Sequence, residues 1–213
     1  MTVLNRLAMA LNRRDEVPNC ELAEEIVRTK DANAVRELIA NLLHRNRNIQ
    51  SDCIKVLYEI GKRTPSLIAG SYREFGKLLE NKNNRLVWGA MIALDSITLV
   101  EPKGVYSLLP RILDIADSGS VITRDHAVGI LTRLGTLKLY KEKCVPLLIG
   151  QLAACPNNQF PMYAEMCEKV VSDKNRKAFQ KVIAGRLAGL EKESQKKRVA
   201  KILNRISIRS AYS

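Results

Sequence analysis

The sequence repeats one pattern of four apolar residues along most of its length. Each copy has apolar side chains at positions i, i+3, i+4 and i+7, and five copies follow one another at a spacing of 36 or 37 residues. The copies are Cys53, Val56, Leu57 and Ile60; Ala90, Ala93, Leu94 and Ile97; Ala127, Ile130, Leu131 and Leu134; Tyr163, Met166, Cys167 and Val170; and Val199, Ile202, Leu203 and Ile206. This spacing puts the four side chains of a copy on one face of an α-helix. Five amphipathic helices at a nearly constant period predict a helical repeat protein.

A second set of apolar positions lies between these copies. Its members are Leu42, Leu79, Ala116, Ala153 and Leu190, spaced by 37 residues, and Leu38, Phe75, Ile112 and Ile149, one helical turn earlier. Turn-forming stretches at residues 61–66, 100–104 and 172–175 separate the two sets. Each repeat is therefore predicted to be a pair of helices, and the chain to be all-α, with about twelve helices and no β-strand.

The first 45 residues follow the pattern less closely. Ala23, Ile26 and Val27 repeat it at a spacing of only 30 residues from the next copy. One further helix is predicted from Leu4, Leu7, Ala8 and Leu11. Terminal repeats are irregular because they cap the stack. We therefore predict one domain over residues 1–213, with an irregular cap and first repeat over 1–45, regular repeats over 46–191 and a basic capping helix over 194–207.

The stretch RDHAVGILTRLG, residues 124–135, resembles the HEAT and armadillo-like repeats, whose core reads Arg-x-x-Ala-x-x-apolar-Leu-x-x-apolar-Gly. Gly61 repeats the closing glycine, whereas Thr98 replaces it, and Gln50 and Val87 stand where the arginine would be. The resemblance covers about residues 20 to 206. It implies a right-handed α-solenoid of about five to six helix pairs, with a concave groove that binds a partner. It implies no particular chemistry, since one fold carries many functions.

The net charge of +13, from 35 basic and 22 acidic residues, favours an acidic partner. The excess is concentrated in residues 173–213, which contain 12 basic and 3 acidic residues. Two groups of basic residues are predicted to bind the partner. The first lies opposite the apolar face of the last helix and comprises Lys197, Arg198, Lys201 and Arg205; the second is a row on successive repeats, formed by Arg36, Arg73 and Arg111.

No catalytic motif is found in the sequence. The two histidines, His44 and His126, have no serine or cysteine in a nucleophile context, and no glycine-rich loop is present to hold phosphate. The five cysteines lack the spacing of a zinc site and are expected to be reduced core residues of a cytoplasmic protein. Glu165 and Glu168 are expected to be solvated helical charges. We therefore predict no catalytic residue, no metal ligand and no cofactor, and no stretch apolar enough to span a membrane.

Two functions remain open. The first is a non-catalytic interaction or scaffold module whose concave face binds an acidic protein or peptide. The alternative is a solenoid that binds nucleic acid, with a divergent DNA glycosylase for alkylated bases as one form of it, because some such enzymes resemble HEAT repeats and hold DNA with tryptophan, aspartate and arginine. Trp88, the single tryptophan, precedes Asp95 by seven residues on the same side of a helix, and is also a predicted partner-binding residue. A groove rich in arginine with Trp88 exposed favours nucleic acid, whereas an apolar groove floor, with the basic residues confined to the end cap, favours a protein partner.

Overall fold

The structure is a computed structural model that describes residues 2–211, and the side chains of residues 2–207. Residues 2–211 form twelve α-helices and three short 3-10 helices, and they contain no β-strand, which confirms the all-α prediction. The α-helices are α1 (Val17–Thr29), α2 (Ala32–Ala40), α3 (Arg47–Arg63), α4 (Tyr72–Leu78), α5 (Asn84–Ile97), α6 (Pro102–Ser107), α7 (Leu109–Ser118), α8 (Val121–Thr136), α9 (Lys138–Ala154), α10 (Phe160–Glu168), α11 (Asp173–Leu187) and α12 (Glu193–Ala211). The 3-10 helices are Val3–Arg6, Pro65–Leu67 and Ala69–Ser71.

Asparagine side chains cap the starts of α3 and α5. The side chain of Asn46 accepts a hydrogen bond from the backbone N–H of Asn48 before α3, at 2.9 Å. The side chain of Asn83 does the same for the N–H of Arg85 before α5, at 3.1 Å. Each cap satisfies a backbone donor that has no partner within the helix. The turn residues thus separate the periodic apolar segments into individual helices.

The five copies of the four-residue apolar pattern, or registers, form the core. All of their residues are buried except Met166 and Leu203, which are half-buried. Leu94 and Leu131, at the centres of two registers, are both 0% exposed. A helix pair cannot bury such a face by itself, so each pair is stabilised by packing against its neighbours.

The second apolar set departs from the prediction at one position. Ala153 is exposed, and Leu152 is fully buried in its place on α9. Leu152 follows Ala116 by 36 residues, which is the spacing that also relates the last two registers of the first set. The period shortens by one residue at α9, so extending the 37-residue spacing selects the wrong side of that helix.

The predicted helix at the N-terminus is wrong beyond its first turn. Only Val3–Arg6 is helical there, as a 3-10 helix, and Leu11 is exposed. The backbone N–H groups of Ala8 and Met9 donate to the side chains of Asn19 and Asp52 instead of to helical carbonyl groups. Asn12 has a φ of 55°, the left-handed conformation that ends a helical path. The segment therefore leaves the helix and runs along α1 and α3.

The chain forms two compact units, Met1–Ala127 and Val128–Ser213. In the first unit, α3 packs against α1, α2 and α5, and α4 packs against α5. In the second unit, α9 packs against α10 and α11, and α12 packs against α10 and α11. Packing between neighbours is the arrangement expected of a repeat protein. The single-domain organisation stays a prediction.

An arginine of the second unit ends α9. Arg186 of α11 donates hydrogen bonds to the carbonyl oxygens of Leu152, Ala153 and Cys155, at 3.1, 3.1 and 2.6 Å. Its guanidinium also lies 4.5 Å from the centre of the Phe160 ring. These carbonyl groups are the acceptors that a helix end leaves without partners, and they carry partial negative charge. Arg186 is therefore a structural cation.

Candidate partner-binding site

A cavity of about 780 Å³ opens in the first unit. Its walls come from the N-terminal segment (residues 8–16), from α3 and α5, and from Ile122 in the first turn of α8. Ligand pockets in proteins span roughly 300–1,000 Å³, so this cavity is large enough to hold several side chains of a partner. It is the candidate site because it also contains the single tryptophan of the chain.

The helical period decides which side chains of α5 reach the cavity. Ala90, Ala93 and Leu94 face the core, so residues on the other side of α5 are left for the cavity. Trp88 and Ile92 lie on that side and are half-buried, and Arg85, three residues before Trp88, is exposed. An i, i+3 spacing brings a cation and an aromatic ring onto the same helical face.

The apolar wall of the cavity is open to a partner. It is formed by Trp88, Ile92 and Ile122, and Ile122 is 38% exposed. Apolar side chains gain free energy when a partner removes them from water. The structure thus places Trp88, a predicted partner-binding residue, in a cavity rather than in the core.

The N-terminal segment is fastened to α1 and α3 as one wall of the cavity. The carboxylate of Asp52 accepts hydrogen bonds from the N–H of Met9, at 2.8 Å, and from the side-chain amide of Asn19, at 2.9 Å. Asn19 is 1% exposed and accepts the N–H of Ala8 at 3.0 Å. Buried polar groups that are satisfied in this way fix a single geometry for the segment.

A lysine on the floor of the cavity is already neutralised. The ammonium of Lys55 lies 2.8 Å from the carboxylate of Glu16 and 3.1 Å from that of Glu59, and 4.9 Å from the centre of the Tyr58 ring. Burial disfavours the charged form of Lys55, but hydrogen bonds to Glu16, Tyr58 and Glu59 outweigh burial and raise its pKa. Lys55 therefore stays charged and paired within the protein.

Two arginines of the cavity have no such partner. Arg13 donates two hydrogen bonds of 2.9 Å to Asp15, so its charge is compensated. Arg14 and Arg85 are exposed, and their side chains form no hydrogen bond or ion pair with residues 2–207. The cavity is therefore lined by two uncompensated guanidinium groups and by Trp88.

No protein-family model matches the sequence, and no curated protein matches it. Three solved structures are similar over most of the chain. A computationally designed armadillo repeat protein for modular peptide recognition has a TM-score of 0.67 and 12% identity, with 86% of this chain and 85% of that chain covered. A designed armadillo repeat protein in complex with the peptide (KR)4 has a TM-score of 0.65 and 14% identity, with the same coverage. An engineered protein has a TM-score of 0.65 and 17% identity, with 97% of both chains covered.

This chain has an armadillo-like fold. At 12% to 17% identity the likeness concerns the fold alone, and peptide recognition is a property of the designed proteins. Within the described part of the armadillo-like chain, no helix is both long enough and apolar enough to cross a membrane.

The basic residues predicted on the last helix divide into two kinds. Arg198 donates two hydrogen bonds to Glu165, at 2.9 and 2.8 Å, and Arg205 donates two to Glu168, at 2.7 and 2.6 Å. The two glutamates expected to be solvated are thus the counter-ions of α12, and the pKa of Glu165 is lowered by Arg198. Lys197 and Lys201 are exposed and have no carboxylate partner among the residues whose side chains are described.

The predicted arginine row lies outside the cavity of the armadillo-like chain. Arg36 is on α2 and donates to the side chain of Asn33. Arg73 is on α4 with its guanidinium 4.9 Å from the centre of the Tyr72 ring, and Arg111 is on α7, 3.5 Å from Glu80. All three are exposed, but none lines the cavity that contains Trp88. Their role in binding stays a prediction.

Sequence reasoning missed the residues that give the cavity its charge. Arg85 had a signal, because its i, i+3 spacing from Trp88 places both on one helical face. Arg14 had none, because it lies in the non-helical N-terminal segment, whose position depends on contacts of neighbouring residues with Asn19 and Asp52.

The structure does not bring Trp88 and Asp95 together in the cavity. Asp95 is 8% exposed and lies 2.9 Å from the Nδ1 atom of His126 on α8. It does not line the cavity that contains Trp88. The paired tryptophan and aspartate on which the glycosylase alternative rests are therefore not presented on one open surface.

Proposed function

We propose that this armadillo-like chain is a non-catalytic interaction module that holds an acidic segment of a partner protein in the cavity of its first unit. The observation that carries the proposal is the presence of two guanidinium groups without counter-ions, those of Arg14 and Arg85, in the cavity that contains Trp88. Guanidinium groups bind carboxylates through two parallel hydrogen bonds, which favours an acidic partner. The fold supports a peptide, since designed proteins of similar structure were made for peptide recognition.

The charges of the cavity suit a peptide and nucleic acid equally, and so does the half-buried Trp88. Three carboxylates, those of Asp15, Glu16 and Asp52, also line the cavity. Those of Asp15 and Glu16 are paired with Arg13 and Lys55 and therefore do not distinguish the two partners. The preference for a peptide rests on the similarity of the fold to designed proteins for peptide recognition.

The single tryptophan gives a direct test of the proposal. We would titrate the protein with an octapeptide of alternating glutamate and phenylalanine, called here the acidic–aromatic peptide, and record tryptophan fluorescence. Trp88 is half-buried, so a bound peptide that covers it should shift and intensify its emission. The variant Trp88→Phe should lose the signal, and a labelled peptide followed by anisotropy should bind it more weakly. A flat titration at low salt would contradict the proposal.

The second unit favours nucleic acid as a second candidate partner. Residues 128–213 contain 17 basic and 6 acidic residues. Lys177, Lys181, Lys197 and Lys201 are exposed there, without a carboxylate partner in the described part of the chain. Lysines of this kind contact phosphates and release counter-ions, which gives binding with little sequence preference. The affinity for a random duplex should then fall steeply with salt, and absence of binding at low salt would remove this candidate.

A cytoplasmic location is part of the proposal. Cys53, Cys144, Cys155 and Cys167 are buried free thiols. Burial raises the pKa of Cys53 to about 12 and that of Cys144 to about 11, which keeps both thiols protonated and unreactive. Buried thiols of this kind suit a reducing compartment.

A further inference from the structure

We infer that the cavity recognises two neighbouring side chains of its partner: a carboxylate bound by Arg85 and Arg14, and an aromatic or aliphatic side chain that packs on Trp88. The inference rests on the proposed function and names the chemistry of the segment that the cavity accepts.

The cavity already contains one cluster of a carboxylate, a cation and an aromatic ring, formed by residues of the chain itself. On α3, Lys55 precedes the aromatic residue Tyr58 by three positions, and the carboxylate of Glu16 lies 2.8 Å from the Lys55 ammonium. The ammonium is also 4.9 Å from the centre of the Tyr58 ring. A carboxylate, a cation and an aromatic ring therefore form one cluster, in which the ring also attracts the cation.

The helix α5, which packs against α3, presents the same pair of residue types without a carboxylate. On α5, Arg85 precedes Trp88 by three positions, and both line the same cavity as Lys55 and Tyr58. Arg85 has no counter-ion among residues 2–207. Glu16 supplies the carboxylate for the cation and ring of α3, and no described residue supplies one for Arg85 and Trp88 of α5. A carboxylate of the partner takes that place.

Arg14 adds a second cation from the wall of the cavity that the N-terminal segment forms. It belongs to the N-terminal segment that Asp52 and Asn19 hold in place, so the wall that carries it is preorganised. Its guanidinium is exposed and has no partner within the described side chains. Two guanidinium groups at one cavity favour a carboxylate over a neutral side chain.

The apolar wall accounts for the second side chain. Trp88 and Ile92 are half-buried and Ile122 is exposed, so all three retain surface that a partner can remove from water. A segment with only acidic and polar residues would leave this wall in contact with water. A segment that alternates acidic and aromatic residues satisfies the cations and the wall together.

The experiment compares four probes by the fluorescence of Trp88. They are the acidic–aromatic peptide, an octapeptide of alternating glutamate and serine, the octapeptide of alternating lysine and arginine, and a single-stranded oligonucleotide of eight thymidines. We expect the acidic–aromatic peptide to bind most tightly and the glutamate–serine peptide about tenfold more weakly, because it lacks the apolar contact. The lysine–arginine peptide should not bind, since the uncompensated charge of the cavity has the same sign.

Three variants then identify the cations. Arg14→Gln and Arg85→Gln should each weaken the acidic–aromatic peptide about tenfold, the usual effect of losing one charge-assisted contact. Arg28→Gln is the matched control, because it removes the same charge from an exposed position of α1 that lies outside the cavity. It should leave the affinity within about twofold. Unchanged circular dichroism and melting temperature will show that all three variants are folded.

The outcomes separate the inference from the proposed function. If the acidic–aromatic peptide binds and neither Arg14→Gln nor Arg85→Gln weakens it relative to Arg28→Gln, the inference is wrong while the peptide-binding function stands. If the glutamate–serine peptide binds equally well, the apolar half of the inference is wrong. If no peptide changes the emission of Trp88, the proposed function fails as well. Tighter binding of the oligonucleotide than of every peptide would overturn both in favour of nucleic acid.

Discussion

The two units of this chain carry very different charges. Residues 1–127 contain 18 basic and 16 acidic residues, whereas residues 128–213 contain 17 and 6. The net charge of +13 is therefore almost entirely that of the second unit. Yet the proposed binding cavity, with Trp88, lies in the first unit, where two of its arginines are uncompensated. Net charge alone thus does not show where such a cavity lies.

The difference implies two modes of association. A cavity with an apolar wall recognises through contact, which depends on shape and on the position of a few charges. An exposed surface of lysines acts through its field, which reaches farther and is screened by salt.

Removing residues 194–213 should damage the second unit and spare the first. The deletion takes away α12 and exposes Ile183 and Leu190, which are 0% and 2% exposed in the intact chain. We expect aggregation, or a melting temperature for the second unit lower by more than about 10 °C, since a solenoid depends on neighbour contacts. Circular dichroism follows both units, and the fluorescence of Trp88 follows the first. A soluble truncation of equal stability would mean that α12 is a detachable tail.

Truncating a core leucine should destabilise either unit by a similar amount. Leu94→Ala in the first unit and Leu131→Ala in the second each create a cavity at a side chain that is 0% exposed. We expect a loss of about 2–5 kcal/mol in the free energy of unfolding from urea titrations. The control is Leu43→Ala, where the side chain is 70% exposed and the loss should be small. A loss below about 1 kcal/mol at Leu94 or Leu131 would show that its register is misplaced.

Acid should weaken the first unit through Glu59. Burial raises the pKa of this carboxyl, but hydrogen bonds from Lys62, Arg63 and Lys55 outweigh burial and lower the pKa to about 2 from the ordinary 4.5. The charged form is favoured in the folded state, so its stabilisation is present above pH 4.5 and is lost as the pH falls toward 2.

The size of this effect should be up to about 3 kcal/mol, because each pKa unit corresponds to about 1.4 kcal/mol. Urea titrations at pH 7, 4 and 3, followed by Trp88 fluorescence, measure it. Glu59→Gln should be less stable at pH 7 and should lose less stability on acidification than the original chain. An equal loss in both proteins would rule out Glu59 as the source.

Salt should act on DNA binding through the lysines of the second unit and not through the two uncompensated arginines of the first unit. If duplex DNA binds there, replacing Lys197 and Lys201 by Gln should flatten the dependence of log affinity on log salt by about two, at about 0.9 for each phosphate. Arg14→Gln and Arg85→Gln, in the first unit, should leave this slope unchanged. Anisotropy of a labelled random duplex at several salt concentrations measures the slope. If both pairs of substitutions change the slope equally, the two units do not differ in how they bind DNA.

The helices and their buried faces could be predicted from the sequence because both depend on local spacing. The i, i+3, i+4, i+7 pattern identified the core around Leu94 and Leu131. Ala153 was wrongly predicted to be buried because a fixed 37-residue spacing does not follow the change to 36 residues at α9. Trp88 was found as a candidate because a single tryptophan off the centre of an apolar stripe is visible in the sequence.

The charges available to a partner were decided by the tertiary structure. Arg198 and Arg205 looked free on a helical wheel, but they pair with Glu165 and Glu168, 33 and 37 residues away, on the neighbouring helix. Arg14 reaches the cavity because its segment leaves the helical path and is held by side chains of α1 and α3. Helical periodicity is set by residues within two turns, whereas an ion pair or a cavity wall requires that residues from different helices meet. The sequence therefore determined the repeat and its core, and packing decided which cations remain for binding.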